Sequence, residues 1–332
     1  MIILETRDSR IWNFENKIIE IIDEAVNSSS RIDIALIAEG PCLRTCNLYT
    51  VLDKISELFK VDKKRFRIIT GNIREHHDQY TVLIVDNIWL AICKQHSNDT
   101  EIKKLNLSTI GCFIGKTNWP RLSLLSWLHT YYAEKSLITC QHDIDVVDHQ
   151  EALELTELAI EFPNEIDIAV NFLKICPLQY RNNFLNYQIQ KQKMYLPDQV
   201  NSNPVKFSDV YGEIFAELVC ETYYTGLTFL PTEKTFRPIL QMTPFIIFGP
   251  EGFLSNLKKS GFKTFDNYWD ESYDDLSRRD RVVAIRSVLE RLFLLSSQEL
   301  TEMYTDMQPI LIHNKNRALA MTAKELQIVR QK

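Results

Sequence analysis

The first 115 residues of the chain alternate between amphipathic patterns and short apolar runs. Apolar positions recur with a helical period over 15–27 and 48–59, which predicts two helices. Continuous apolar runs predict four strands, at 31–40, 65–72, 80–87 and 109–115. Short apolar strands separated by helices are typical of a parallel sheet covered on both faces. The pattern therefore predicts a Rossmann-like α/β domain over residues 1–140.

The second half of the chain repeats this alternation after a helical stretch. Helical patterns cover 120–135 and 149–196, and residues 186–204 are the most linker-like. Strand-like and helical segments then alternate over 211–276, and a strongly periodic helix follows at 278–296. We therefore expect α/β architecture throughout, with a helical connector at 141–205, a second Rossmann-like domain at 206–300 and a helical tail at 301–332.

The composition fits two globular domains and excludes several classes of protein. The 332 residues are 45% hydrophobic and 25% charged, with 9 glycines and a net charge of −6. These values exclude a disordered, collagen-like or disulfide-framework protein, and they give no nucleic-acid footprint for the whole chain. Scarce glycine argues against a glycine-rich phosphate loop. Neither AEGPC nor FGPEGF forms a dinucleotide fingerprint, which disfavours a dehydrogenase or a methyltransferase.

Cysteine usage and the N-terminal residues predict a cytoplasmic protein. The seven cysteines are scattered, mostly within apolar runs, which is typical of reduced, buried thiols. Cys42 and Cys46 lie four residues apart, but no second Cys or His pair stands at zinc-ligand spacing. The chain shows no signal-peptide pattern, and no apolar run reaches the ~18 residues of a membrane span. We therefore expect no membrane span, no metal and no cofactor.

Residues 221–250 read ETYYTGLTFLPTEKTFRPILQMTPFIIFGP. This segment resembles the donor-site signature of nucleotide-sugar glycosyltransferases with two facing Rossmann domains, the GT-B type. The similarity is closest to the fucosyltransferase-like group. The runs 38–59 and 252–275 resemble uncharacterised glycosyltransferase-like proteins of phages and bacteria. The matching positions are Glu221, Thr232, Glu233, Lys234, Phe236, Pro244 and Gly249.

The resemblance implies two Rossmann-like domains that face a central cleft. It also implies a hexosyl- or pentosyltransferase whose co-substrate is a nucleotide diphosphate-sugar. The expected acceptor is a glycan, a modified nucleic acid or a small molecule, and the oligomeric state stays open. The implied donor side comprises Glu221, Thr222, Thr232, Glu233, Lys234 and Arg237.

The chemistry of these residue types supports the same site. A helix N-terminus suits a diphosphate, because it presents unpaired amides and a partial positive charge. Thr232 is a suitable N-cap, Glu233 can accept ribose hydroxyls, and Lys234 can bring a positive charge to the phosphates. Arg237 shares the face of Lys234 and would add a second cation. Pro238 implies that the helix is kinked or begins later. The alternative is an ordinary exposed first turn.

The acceptor side is expected on the first domain. Inverting transfer needs a base that deprotonates the acceptor hydroxyl, and the fucosyltransferase-like group takes a carboxylate from its N-terminal domain. Glu39 follows a predicted strand, at the edge where open α/β sheets bind ligands, and is therefore the predicted base. Asn72 and Arg121 are further acceptor or cleft candidates, with Lys116 near Arg121. The alternatives are a solvated or capping glutamate, a Gly-Asn turn and a surface arginine.

Three other polar clusters are weaker candidates. Adjacent His76 and His77 favour a surface loop over a metal pair. Asp143 and Asp145 form a D-x-D pair of the kind that holds a metal in single-domain glycosyltransferases, but the pair lies away from the predicted donor helix. The acidic run 269–275 predicts either a loop near the donor or a solvated turn.

The leading hypothesis is an inverting, metal-independent glycosyltransferase with the donor on the second domain and the base on the first. One alternative is transfer onto modified DNA bases, as some phages do, which would need a local basic strip. Another is a non-catalytic nucleotide-binding or structural protein with the same fold.

Overall fold

The computed structural model describes residues 1–4, 6–7, 10–11, 14–36, 40–85, 88–95, 107, 109–115, 117–140, 149–178 and 207–321. The strands there are β1 (Ile2–Ile3), β2 (Thr6–Arg7), β3 (Arg10–Ile11), β4 (Ile32–Leu36), β5 (Phe66–Thr70), β6 (Thr81–Ile84), β7 (Ile110–Ile114), β8 (Ser136–Cys140), β9 (Ala216–Cys220) and β10 (Phe245–Phe248). The α-helices are α1 (Phe14–Asn27), α2 (Leu48–Phe59), α3 (Ile88–Gln95), α4 (Trp119–Tyr132), α5 (His149–Glu161), α6 (Ile166–Lys174), α7 (Phe207–Gly212), α8 (Glu233–Leu240), α9 (Phe253–Lys259), α10 (Arg278–Leu294), α11 (Ser297–Asp306) and α12 (Gln308–Ala320).

The first sheet is parallel and consists of β1, β4, β5 and β6 in that order. Leu48, Leu52 and Ile55 recur along one face of α2 and pack with Ile34 and Ile68 of the strands. Each strand lies beside the one that precedes it, so the sheet winds in a single direction. A separate antiparallel pair, β2 and β3, precedes α1.

The second sheet is also parallel, in the order β10-β9-β7-β8. Its strands β7, β9 and β10 are buried throughout, as expected for strands inside an α/β layer. The α/β class with two parallel sheets is therefore confirmed. The predicted boundary at residue 140 does not follow the strand pairing. Residues 110–140 contribute β7 and β8 to the second sheet, because Ile110 pairs with Ala216.

A bridging loop, residues 222–231 between β9 and α8, joins the two sheets. Gly226 has φ of +74°, and a Cβ there would lie 2.7 Å from the Cys42 side chain. A Cβ on Gly40 would likewise lie 2.9 Å from Leu230. Only glycine permits these close approaches. The carboxyl ends of β4 and β5 are therefore held directly against the loop that leaves β9.

The remaining helices surround the second sheet. Arg278 and Arg286 of α10 form ion pairs with Glu157 and Glu165, which anchors the connector helices. Lys94 of α3 donates a hydrogen bond to the Leu319 carbonyl at the end of α12. The described part of the expected connector therefore packs against α4 and α10, and the described part of the expected tail packs against α3 and α8. Among the described helices, none combines the length and the apolar composition needed to cross a membrane.

Candidate functional site at the carboxyl edge of the second sheet

The strand order of the second sheet reverses between β7 and β9. From β7 the chain proceeds to β8 on one side, and it later adds β9 on the other side. In open α/β sheets, ligands bind outside the carboxyl ends of the strands at such a switch point. Here β7 leads into α4, and β9 leads through the bridging loop into α8. These connections bring together Arg121 and the whole predicted donor side.

The first turn of α4 is capped from within the protein. Asn118 Oδ1 accepts from the Arg121 amide at 3.2 Å, and Glu154 Oε2 accepts from the Trp119 amide at 2.7 Å. Little of this helix N-terminus is therefore left for a ligand. The Asn118 amide nitrogen Nδ2 is buried and has no hydrogen-bond partner. A Cβ on Gly115, just after β7, would meet no atom within 4 Å, so the space beside β7 is open.

Arg121 is buried beneath this edge and binds the backbone. Its Nη2 donates to the carbonyl oxygens of Cys220 at 3.0 Å and Glu221 at 2.7 Å, where β9 ends. Only 4% of the residue is exposed. The guanidinium thus ties α4 to β9 across the switch point, and the prediction that Arg121 contacts a phosphate or an acceptor stays a prediction.

Glu221 caps the start of α8 with its carboxylate. Oε1 accepts from the Thr232 amide at 3.0 Å and from the Thr235 hydroxyl at 2.6 Å, and Oε2 accepts from the Thr232 hydroxyl at 2.6 Å. Thr232 is the N-cap, as predicted, because its hydroxyl accepts from the Lys234 amide. The helix begins at Glu233 and continues through Pro238. A carboxylate therefore already occupies the position where we expected a phosphate.

Lys234 and Glu233 form an ion pair at this helix start. Lys234 Nζ lies 2.7 Å from Glu233 Oε1 and 3.3 Å from the Thr222 hydroxyl, and 16% of the lysine side chain is exposed. Burial raises the pKa of Glu233, but the charges of Lys234 and Arg237 outweigh burial and hold it below its ordinary value. Oε2 of this ionised carboxylate is buried without a hydrogen-bond partner.

Arg237 does not join Lys234 as a second cation for the ligand, which corrects the sequence expectation. Its guanidinium lies on the buried face of α8, where Nη2 is 3.4 Å from Glu217 Oε1. The Tyr211 hydroxyl donates to the other oxygen of Glu217. Burial raises the pKa of Glu217 to about 7, against the opposing effects of Arg237 and Tyr211. Sequence reasoning missed Glu217, although a lone acid in the apolar run FAELVC was a usable signal.

Asn72 lies at the junction of the two sheets and is completely buried. Its Nδ2 donates to the Leu227 carbonyl at 3.0 Å and to the Pro41 carbonyl at 3.4 Å. Its Oδ1 accepts from the amides of Phe229 at 3.0 Å and Arg74 at 3.1 Å. These bonds use the full capacity of the amide, so Asn72 fixes the bridging loop and has none left for an acceptor. This corrects its expected role as a cleft residue.

Several predictions fall on residues outside the described ranges. They concern Glu39 as the predicted base, Lys116, and the pair Asp143 and Asp145. His76 is exposed, and His77 is half-buried against Tyr49, with 4.2 Å between the ring centroids. The two histidines lie in a loop with aromatic contacts, as the surface-loop interpretation expected.

The acidic run 269–275 caps neighbouring elements. Asp274 accepts from the amides of Leu254 at 2.9 Å and Ser255 at 3.0 Å in the first turn of α9. Glu271 accepts from the Thr264 hydroxyl at 2.6 Å and the Phe265 amide at 2.8 Å. Both carboxylates are therefore engaged within the second half.

Comparison of the chain with protein-family models, with curated proteins and with solved structures found no match. Within the described residues, no group of three or more His, Cys, Asp or Glu side chains is placed to hold a metal ion. The geometry of the switch point is therefore the basis for a functional proposal.

Proposed function

We propose that this chain is an inverting, metal-independent glycosyltransferase that moves a sugar from a nucleotide diphosphate donor to an acceptor hydroxyl. The observation that carries the proposal is a set of unsatisfied polar groups at the switch point. Asn118 Nδ2 is a buried donor without an acceptor, and Glu233 Oε2 is a buried acceptor without a donor. Such atoms are rare in folded proteins and call for a partner. Lys234 supplies a positive charge beside Glu233.

The donor would lie across the carboxyl ends of β7 and β9. Lys234 would meet the diphosphate and stabilise the charge that develops on it as a leaving group. Glu233 Oε2 would accept a hydrogen bond from a ribose hydroxyl of the bound donor. The open space beside Gly115 gives the nucleotide room on the β7 side. Arg121, Glu221 and Arg237 would hold these groups in place from behind.

The acceptor would approach from the carboxyl edge of the first sheet, which completes a GT-B-like arrangement. Glu39 follows β4 and immediately precedes Gly40, whose Cα packs against Leu230 of the bridging loop and Asn72. Its place in the chain, between the end of β4 and this junction, supports it as the base that deprotonates the acceptor hydroxyl.

Thermal-shift and calorimetric titrations with UDP, GDP, ADP and CDP test the donor site. We expect one of them to stabilise the wild type and to bind at least tenfold more weakly to Lys234→Ala. Lys259→Ala is the matched control, because Lys259 is an exposed lysine on α9 of the same half. The donor site is wrong if no nucleotide binds or if both variants bind like the wild type. Transfer from the matching nucleotide-sugar, and its loss in Glu39→Gln, then tests catalysis.

A second candidate is a non-catalytic protein with the same fold. The observation that favours it is that carboxylates of this chain, Glu154 and Glu221, already cap both helix starts at the switch point. Nucleotide binding without transfer or hydrolysis, across a panel of nucleotide-sugars and acceptors, would support this candidate over the enzyme.

A further inference from the structure

Glu217 is a buried carboxylate near the start of β9, the strand whose carboxyl end borders the proposed donor site. It is 1% exposed and lies between the Tyr211 hydroxyl of α7 and the Arg237 guanidinium of α8. Neither the resemblance nor the donor-site prediction gives this residue a role. A hydrophobic residue would fill the same position in a parallel strand at lower cost, because a buried charge requires a partner.

Arg237 connects Glu217 to the ligand-facing groups. The positive charge of Arg237 acts on both Glu217 and Glu233, and Glu233 is the carboxylate paired with Lys234 at 2.7 Å. Glu233 and Arg237 are four residues apart on the same helix, so the side chains share a face. Two ionic contacts, Glu217 with Arg237 and Glu233 with Lys234, are therefore linked by the helix face that Glu233 and Arg237 share and by the charge of Arg237.

The charge balance of this edge depends on Glu217. The described charged groups around β9 and the starts of α4 and α8, all buried or partly buried, are four carboxylates and three cations, which leave one net negative charge when all are ionised. A proton on Glu217 cancels that charge. The groups are Glu154, Glu217, Glu221, Glu233, Arg121, Lys234 and Arg237.

We propose that Glu217 is a positioning residue for the proposed donor site and acts through Arg237. When Glu217 is neutral, the positive charge of Arg237 stabilises the Glu233 carboxylate alone. Lys234 can then leave Glu233 and bind an anion. When Glu217 is ionised, it retains Arg237, and Glu233 retains Lys234. Binding of a nucleoside diphosphate and protonation of Glu217 therefore favour each other. This inference rests on the proposed function for its ligand but not for its mechanism.

The surroundings of Glu217 allow both states near neutral pH. Burial raises its pKa to about 7, while the Arg237 charge and the Tyr211 hydrogen bond oppose the rise and Glu221 adds to it. Cys93 of α3 interacts electrostatically with Arg237, and Cys112 of β7 interacts electrostatically with Glu217. Burial raises the pKa of the Cys93 thiol to about 12, so that thiol stays neutral where Glu217 titrates.

Calorimetric titration with the best-binding nucleoside diphosphate between pH 6 and 8.5 tests the coupling. We compare the wild type with Glu217→Gln, which stays neutral, so that titration of the ligand affects both proteins equally. We expect wild-type affinity to fall about three- to tenfold relative to the variant as pH rises. Tyr211→Phe removes a bond to the ionised carboxylate and should move the midpoint to higher pH. Parallel profiles for the wild type and Glu217→Gln would overturn the coupling.

A second measurement needs no nucleotide. Acylation of lysines at pH 8, followed by mass spectrometry, should label Lys234 several-fold faster in Glu217→Gln than in the wild type, with exposed Lys259 labelled equally in both. Equal labelling of Lys234 in two folded proteins overturns the inference. If no nucleotide binds but the labelling differs as expected, the proposed function fails and the positioning role of Glu217 stands.

Discussion

Two buried asparagines, one at the carboxyl edge of each parallel sheet, differ in how their side-chain amides are satisfied. At the first sheet, whose strands follow one another in chain order, Asn72 uses every donor and acceptor of its amide within the protein. At the second sheet, where the order reverses between β7 and β9, Asn118 and Glu233 each keep a buried polar atom without a partner. Asn72 therefore joins the two halves of the protein, whereas the Asn118 donor is available for the ligand that we propose.

The largest expected effect concerns the tie beneath the second edge. Arg121→Met removes the hydrogen bonds to the Cys220 and Glu221 carbonyls and leaves both buried. We expect a loss of about 3–5 kcal/mol in the free energy of unfolding, measured by urea denaturation. Arg291→Met, on the exposed face of α10, should change it by less than about 0.5 kcal/mol. Similar losses in both variants would show that Arg121 does not hold this edge.

A matched pair of asparagine variants tests the comparison directly. Asn72→Ser loses both amide donors and leaves the Leu227 and Pro41 carbonyls buried without them, so we expect destabilisation by about 2–4 kcal/mol. Asn118→Ser keeps a capping oxygen and loses a donor that has no partner, so we expect a change below about 1 kcal/mol. Urea denaturation measures both. The comparison breaks if Asn118→Ser is as destabilising as Asn72→Ser.

The buried acid of β9 gives a pH-dependent prediction. Its pKa is raised from 4.5 to about 7, so the folded state holds a proton that the unfolded state releases between those values. Wild-type stability should therefore fall as pH rises through this window, and Glu217→Gln should escape that loss. Urea titrations at pH 5 and 8 should show the variant gaining on the order of 2–3 kcal/mol relative to the wild type. A constant difference would mean that Glu217 does not titrate there.

The smallest expected effect on stability is at the open space beside β7. Gly115→Ala adds a methyl group that meets no atom within 4 Å, and its backbone is not among those with positive φ. We expect a change in the free energy of unfolding within about 0.5 kcal/mol. Weaker nucleotide binding by this stable variant would place the ligand against β7, whereas unchanged binding would place it nearer α8.

The local features of the fold could be predicted from sequence, and the pairing could not. The helix at 48–59 and the N-cap Thr232 follow from periodicity and from residue type, which act over a few residues. The pairing of β7 with β9 joins strands that are far apart in the chain. An apolar run does not indicate which distant strand will be its neighbour. The sequence-based placement of Arg237 beside the ligand is wrong for a related reason. Its spacing from Lys234 fixes the helix face, but only the packing of α8 on Glu217 decides which face is buried.

The pairing of Ile110 with Ala216 also has a consequence for the order of folding. The four strands of the first sheet are all synthesised by residue 84, so this sheet can assemble early from local contacts. The apolar strand β7 is synthesised long before its partner β9, so one of its edges stays unpaired while the intervening chain is translated. During translation its unpaired edge is open to other strands. Aggregation of truncated chains that end between residues 140 and 216 would reveal this interval.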